Sequence, residues 1–274
     1  MKQKLVVVSA GVSDVGRQRQ HNEDSLTSSD ELGLYAIADG MGGHAQGDVA
    51  SQVAIDTLLH EVENHLRSGN EVELQEACYE TIDRAIASCN ENILERNRQN
   101  KYQVGEGMGT TLVGTYFLKN RMKALTFNVG DSRIYRLRRG NLKQLTRDHT
   151  MYQAWIEAGG KGSAPSKSIL VNAVGLVEDL LPDIKLESVV AGDLYLICSD
   201  GLSSLVDDHI LKESLCANCR LPPDVICQQL IELANQNGGS DNITVIIVRI
   251  DVEVPVESDV LPEDQVTRIQ NESV

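Results

Sequence analysis

The sequence has no apolar run long enough to cross a bilayer. Stretches such as Leu5–Val8 fall far short of the ~20 residues a membrane-spanning helix needs. It opens with no basic, apolar, small-residue leader, so a cytoplasmic location is expected. Basic charge is scarce: 25 Lys and Arg face 40 Asp and Glu, a formal net charge of −15. Such a field excludes a non-specific nucleic-acid binder and a binder of anionic membranes. Cysteine is not arranged for cross-linking. Cys78, Cys89, Cys198, Cys216, Cys219 and Cys227 read as reduced thiols, and the lone Cys216-Ala-Asn-Cys219 lacks the second pair of a zinc site. No repeat is evident. Gly159-Gly-Lys-Gly162 lacks the spacing of a nucleotide-cradling loop.

What is present is core. Hydrophobic residues make up 41% of the chain, enough for a packed domain. Leu5–Val12 and Leu34–Ala38 read as strands. Val49, Val53, Ile55, Leu58, Leu59 and Val62 recur at helical spacing, and Cys78, Ile82, Ala85, Ile86, Cys89 and Ile93 repeat the pattern. With the Ser68-Gly-Asn70 turn between them, they predict a helical hairpin. From Gly109 the period changes to two. Thr111–Leu118, Lys123–Val129, Arg133–Leu137 and Leu142–Leu145 predict short antiparallel strands, with turns at Lys119-Asn120 and Arg139-Gly-Asn141. Met151–Ala158 and Pro223–Asn235 predict helices and Leu194–Cys198 a buried strand. Ile243–Ile250 is so apolar that both of its faces must be covered.

Four aspartates share one context. Asp39, Asp131 and Asp200 follow strands and adjoin a glycine or a serine-glycine turn, while Asp241 precedes a strand after Gly238-Gly-Ser240. One Asp-Gly is an ordinary turn signal. Four carboxylates at strand ends can converge on one edge of a packed sheet, where they repel one another unless protonated or bridged by cations. Oxygen-only ligand sets select hard cations such as Mg²⁺ or Mn²⁺. Near the N-terminus, Arg19 precedes the Glu23-Asp24 pair by four residues. Arg is suited to bidentate phosphate binding, so the set suggests metal-assisted phosphoryl chemistry; the alternative is a surface turn with a salt bridge.

Seven segments, in order and in kind, resemble the protein phosphatase 2C family, the metal-dependent Ser/Thr phosphatases, in its bacterial form. They are Ser13-Asp-Val-Gly-Arg17 with Arg19-Gln-His-Asn-Glu-Asp24; Ala38-Asp-Gly-Met-Gly-Gly-His44 with Gly47; Gly109-Thr-Thr111; Asn128-Val-Gly-Asp-Ser-Arg133; Arg147-Asp-His149; Ser199-Asp-Gly201; and Ser240-Asp-Asn-Ile-Thr244. The resemblance implies an α+β fold, a four-layer α/β/β/α sandwich of two antiparallel β-sheets flanked by helical pairs, over residues 1–250. It implies two tightly bound Mn²⁺ or Mg²⁺ ions and a weaker third. Asp39 would bridge two metals and the Gly40 carbonyl would bind one; Asp200 and Asp241 would hold the first. Glu23 would reach the second, Asp24 would orient metal-bound waters, and Asp131 with Asp200 would hold the third. Arg19 would bind the substrate phosphate while a metal-acidified water attacks phosphorus in line. Phosphorylated Ser/Thr proteins are the implied substrates and a cognate Ser/Thr kinase the implied partner, with the chain acting as a monomer. The alternative is an inactive relative that only binds a phosphoprotein, or a metal-binding regulatory domain.

Other signals read differently. Cys78 and Arg84 have the C-x₅-R spacing of cysteine-dependent phosphatases, yet the segment between them has no glycine and lies in a helical stripe. Met41 stands where animal relatives carry a His, which removes a candidate general acid. His44 and His149 are expected to be structural. Nine Lys and Arg face one acid over residues 119–147, either a solvated hairpin face or a docking strip for acidic phosphoproteins. Gly159–Lys167, with no acid and no His, is expected to be a flexible loop that leaves the third metal resting on Asp131 and Asp200 alone; its Lys161 and Lys167 are candidates to meet a phosphopeptide. Residues 251–274 hold seven acids and one base and read as a disordered acidic tail.

Overall fold

The computed structural model describes residues 5–42, 46–67, 75–103, 105, 107–118 and 122–252. His44, the Ser68–Asn70 and Lys119–Asn120 turns and residues 253–274 of the acidic tail lie outside the described residues. In chain order the elements are β1 (Leu5–Asp14), β2 (Asp24–Ser29), β3 (Leu34–Met41), α1 (Gly47–Arg67), α2 (Gln75–Gln99), β4 (Gly109–Thr110), β5 (Leu112–Leu118), β6 (Lys123–Val129), β7 (Arg133–Arg138), β8 (Asn141–Gln144), α3 (Met151–Glu157), β9 (Asp183–Ser188), β10 (Leu194–Cys198), α4 (Asp200–Ser203), α5 (Asp208–Asn218), α6 (Pro223–Gln236) and β11 (Ile243–Val252). One sheet runs β1-β11-β10-β7-β8 and the other β2-β3-β5-β6-β9, with β4 beside β3. Every pairing is antiparallel.

Side-chain alternation divides the apolar residues into three cores and hence four layers. On β11, Ile243, Val245 and Ile247 face α5 and α6, whereas Ile246, Val248 and Ile250 face the opposite sheet. On β3, Leu34, Ala36 and Ala38 face α1 and α2, whereas Tyr35 and Ile37 face inward. Each strand is apolar on both faces because each face meets a hydrophobic layer. The α/β/β/α sandwich expected from the sequence is the observed architecture.

The strands after Gly109 do not form one meander. β5 and β6 pair in one sheet, β7 and β8 in the other. The chain changes sheets at Gly130-Asp131, which puts Asp131 where the two sheets meet. β2, β9 and α5 escaped the sequence reading. β2 (Asp-Ser-Leu-Thr-Ser-Ser) carries no apolar alternation, and β9 shows it only at Ile184 and Leu186; both are edge strands, held by pairing with β3 and β6. The C-x₅-R segment is helix: Cys78 is buried within α2 and Arg84 pairs with Glu61 of α1 at 3.6 Å.

Phe117 joins the sheets. Its ring meets Tyr35 edge-on at 5.6 Å and Tyr195, from the other sheet, at 5.4 Å. Removing it opens a cavity between layers, so Phe117→Ala should cost about 3–5 kcal/mol in urea unfolding. A loss under about 1 kcal/mol would show that the sheets do not depend on this contact.

Candidate metal centre

One rim of the sandwich collects strand ends from both sheets. β2 begins where β3 ends, so Asp24 stands directly opposite Asp39. β5 begins at Leu112, opposite Val129 at the end of β6, and the turn after β6 carries Asp131. In the other sheet β10 ends at Cys198, between Val245 of β11 and Arg133 of β7. Asp200, just after β10, and Asp241, just before β11, therefore lie on the same rim. Like charges directly opposite weaken an antiparallel pair, so Asp24 and Asp39 do not face each other for the sake of the sheet.

Backbone clamps hold the acids in place. The Asp39 N–H donates to Thr111 Oγ1 (3.0 Å), and its carbonyl accepts from Thr111 N–H and Thr110 Oγ1, both at 2.9 Å. Gly40 N–H donates to the Glu23 carbonyl at 3.1 Å. A Cβ on Gly40 would run into the carbonyl oxygens of Gly47 and Glu23, so only glycine lets these three backbones meet. Asn242 ties the N-terminal loop to β11: its Oδ1 accepts from Glu23 N–H (2.9 Å), and its Nδ2 donates to the carbonyls of Val15 (3.0 Å) and His21 (2.9 Å). Arg19, half-exposed, donates from Nη2 to Asp241 Oδ2 at 2.8 Å. The seven residues expected as ligands, Glu23, Asp24, Asp39, Gly40, Asp131, Asp200 and Asp241, thus come to one rim with Arg19 at its edge.

The carboxylates act on one another. Asp39 is held well above the ordinary range, first by burial and then by the charges of Asp24, Asp200, Asp131 and Asp241. Burial and then Asp241 raise Asp200. Burial, Asp200 and Asp148 push Asp131 up to about 7. Asp24 rises to about 6 through burial, although Thr244 Oγ1 (2.6 Å) and Ser199 Oγ (2.9 Å) both donate to its Oδ2. Its other oxygen, Oδ1, is buried and has no hydrogen-bond partner among the described residues. An orphaned carboxylate oxygen amid four further carboxylates is the chemistry a hard divalent cation satisfies, so the residues fit the group. Among the described residues no three His, Cys, Asp or Glu side chains are closed up as a finished metal cage, in keeping with acids that repel one another.

Thr110, Thr111, Ser199, Asn242 and Thr244 were present in the quoted motifs, but no role was read for them. Their signal was local: short hydrogen-bonding side chains flanking each acid. The 159–167 loop is anchored at two points. Trp155 Nε1 donates to the Lys161 carbonyl at 2.8 Å, and Lys167 Nζ lies 5.2 Å above the Tyr152 ring. The loop's own composition could not reveal these anchors, because both rings belong to α3. Four of the nine basic residues of the strip are held in ion pairs, the last of them at the surface. Arg133 pairs with Asp148, Arg136 with Glu187, Arg138 with Asp193 and Arg147 with Glu157.

A family model described as protein phosphatase 2C matches residues 16–233. The serine/threonine protein phosphatase PstP of Mycobacterium tuberculosis is 37% identical over 253 residues; the match covers 90% of this chain but 45% of that protein. The serine/threonine phosphatase stp of Listeria monocytogenes is 34% identical, with 88% of this chain and 94% of its own length covered. The catalytic domain of PstP in complex with two manganese ions superposes with a TM-score of 0.76 at 35% identity, covering 90% of this chain and 99% of that one.

A carboxyl whose folded pKa is raised stabilises the fold below its unfolded value and loses that contribution as pH rises through the folded value. For Asp131 the window runs from about 4 to about 7. In chelator, the melting temperature of Asp131→Asn relative to the parent should therefore rise across that window, in the variant's favour. A constant difference would show that Asp131 is not held charged against repulsion.

Proposed function

The chain belongs to the protein phosphatase 2C family, and on that premise we propose that it is a metal-dependent phosphoserine/phosphothreonine protein phosphatase. Glu23, Asp24, Asp39, the Gly40 carbonyl, Asp131, Asp200 and Asp241 would hold two Mn²⁺ or Mg²⁺ ions and a weaker third. The observation that carries the reading is the convergence of five aspartates on one rim, with the buried, unpartnered Asp24 Oδ1 among them. When bound, such cations neutralise charge and acidify water so that it can attack phosphorus near neutral pH.

The chain's own residues do the rest. Arg19, at the rim and half-exposed, is the cation that receives the phosphate dianion in an otherwise acidic field and neutralises its equatorial oxygens. Ser199 and Thr244 fix Asp24 through Oδ2 and leave Oδ1 unpartnered. The Thr110-Thr111 clamp holds Asp39 against repulsion. Met41 has no proton to give the departing serine or threonine oxygen.

Phosphorylated Ser/Thr proteins are the substrates and a cognate Ser/Thr kinase the opposing partner; the protein acts as a cytoplasmic monomer with residues 1–250 as its phosphatase domain and 251–274 as an acidic tail. No helix among the described residues is long and apolar enough to cross a membrane. The alternative, an inactive phosphoprotein- or metal-binding regulatory relative, predicts no turnover.

Hydrolysis of an aryl phosphate with Mn²⁺, abolished by EDTA, separates the two. Folded Asp39→Asn should lose about a hundredfold or more of that rate, since Asp39 would supply charge to the cations that acidify the attacking water; near-normal turnover would contradict the mechanism. Arg19→Ala should cost about 2–4 kcal/mol of transition-state stabilisation while Mn²⁺ affinity stays almost unchanged. Calorimetry showing lost metal affinity with unchanged kinetics at saturating Mn²⁺ would remove Arg19 from phosphate binding.

A further inference from the structure

The turn that carries Asp131 is gripped by one buried imidazole. Gly130, at φ +111°, directs its N–H to His149 Nδ1 at 3.3 Å, and the backbone N–H of His149 donates to the Gly130 carbonyl at 2.9 Å. Asn172 Nδ2 lies 3.1 Å from the same Nδ1. That amide also donates to the Leu181 carbonyl at 2.8 Å, which fixes the orientation of the amide: turned over, its oxygen would face a carbonyl oxygen. Two N–H donors therefore converge on Nδ1, so Nδ1 must be the bare nitrogen and Nε2 must carry the proton. Nε2 faces Asp183 Oδ2 at 3.6 Å. The ring is only 5% exposed, and burial favours its neutral form. The segment after the 159–167 loop reaches the same residue through its backbone, Val171 N–H to the His149 carbonyl at 2.9 Å.

We propose that His149, as the neutral Nε2–H tautomer, is a positioning residue that locks Gly130 and so aims the Asp131 carboxylate, and that residues 171–172 complete the lock. A left-handed glycine beside a repelled carboxylate has no conformational preference of its own to hold this turn; the imidazole supplies it. Partners that orient a ligating carboxylate act on affinity without touching the cation, commonly by about 10–100-fold. The inference rests on the reading of Asp131 as a ligand of the weaker cation.

Nitrogen NMR of the full chain in chelator tests the tautomer without any substitution. The His149 ring should show the shifts of a protonated Nε2 and bare Nδ1; a protonated Nδ1 would overturn the proposal. Two variants then test position. Asn places a carbonyl oxygen near Nδ1, whereas Gln reaches toward Nε2. In calorimetric titrations with Mn²⁺, His149→Asn should keep the weak site within about threefold of the parent and His149→Gln should weaken it about tenfold or more, with the tight sites unchanged in both. Equal behaviour of the two folded variants would overturn the lock. Amide exchange at Gly130, faster in Gln than in Asn, reads the lock with no metal present; equal exchange would reject it. Asp131→Asn is the control: if it leaves the weak site untouched, the ligand assignment fails, and the tautomer and Gly130 exchange still decide the role of His149.

Discussion

Mutual repulsion among five crowded aspartates is the constraint around which this protein is built. Asp24, Asp39, Asp131, Asp200 and Asp241 act on one another across the rim where the two sheets meet. Left to side-chain electrostatics alone, they would move apart or draw protons. The chain instead fixes their backbones. Thr110 and Thr111 bracket Asp39, Asn242 secures the loop carrying Glu23, and Ser199 and Thr244 reach from one sheet to Asp24 in the other. Such sites lower the stability of the unliganded fold in exchange for a strong field at one place.

The sandwich makes that concentration possible. Antiparallel strands bring the start of one beside the end of the next, so a single rim gathers residues far apart in sequence. Asp24 and Thr244 are 220 residues apart and share a hydrogen bond. The switch between sheets at Gly130-Asp131 adds an acid from the seam itself. Three apolar cores behind the rim make its position rigid, and Phe117 between Tyr35 and Tyr195 binds the two sheets at the centre.

Much of this was legible in the residues, for identifiable reasons. A strand such as Ile243–Val252, apolar on both faces, has no alternative to deep burial, and its reading needed only the pattern. The aspartates announced themselves by recurring at strand ends. β2 was not legible, because a polar edge strand owes its conformation to its neighbour. The Thr111, Ser199 and Asn242 clamps were equally hidden, since a short polar side chain looks the same in sequence whether it meets water or a buried backbone. The anchors of the 159–167 loop lie in α3, outside the loop's own sequence.

Crowded carboxylates that hold protons near neutral pH must release them when a divalent cation takes their place. Calorimetric titration of the full chain with Mn²⁺ near pH 6.5, in buffers of different ionisation enthalpy, measures that exchange directly. The account predicts about one or more protons released per chain, declining as pH rises above the Asp131 value of about 7. Binding with no buffer-dependent heat, and hence no proton release, would contradict it.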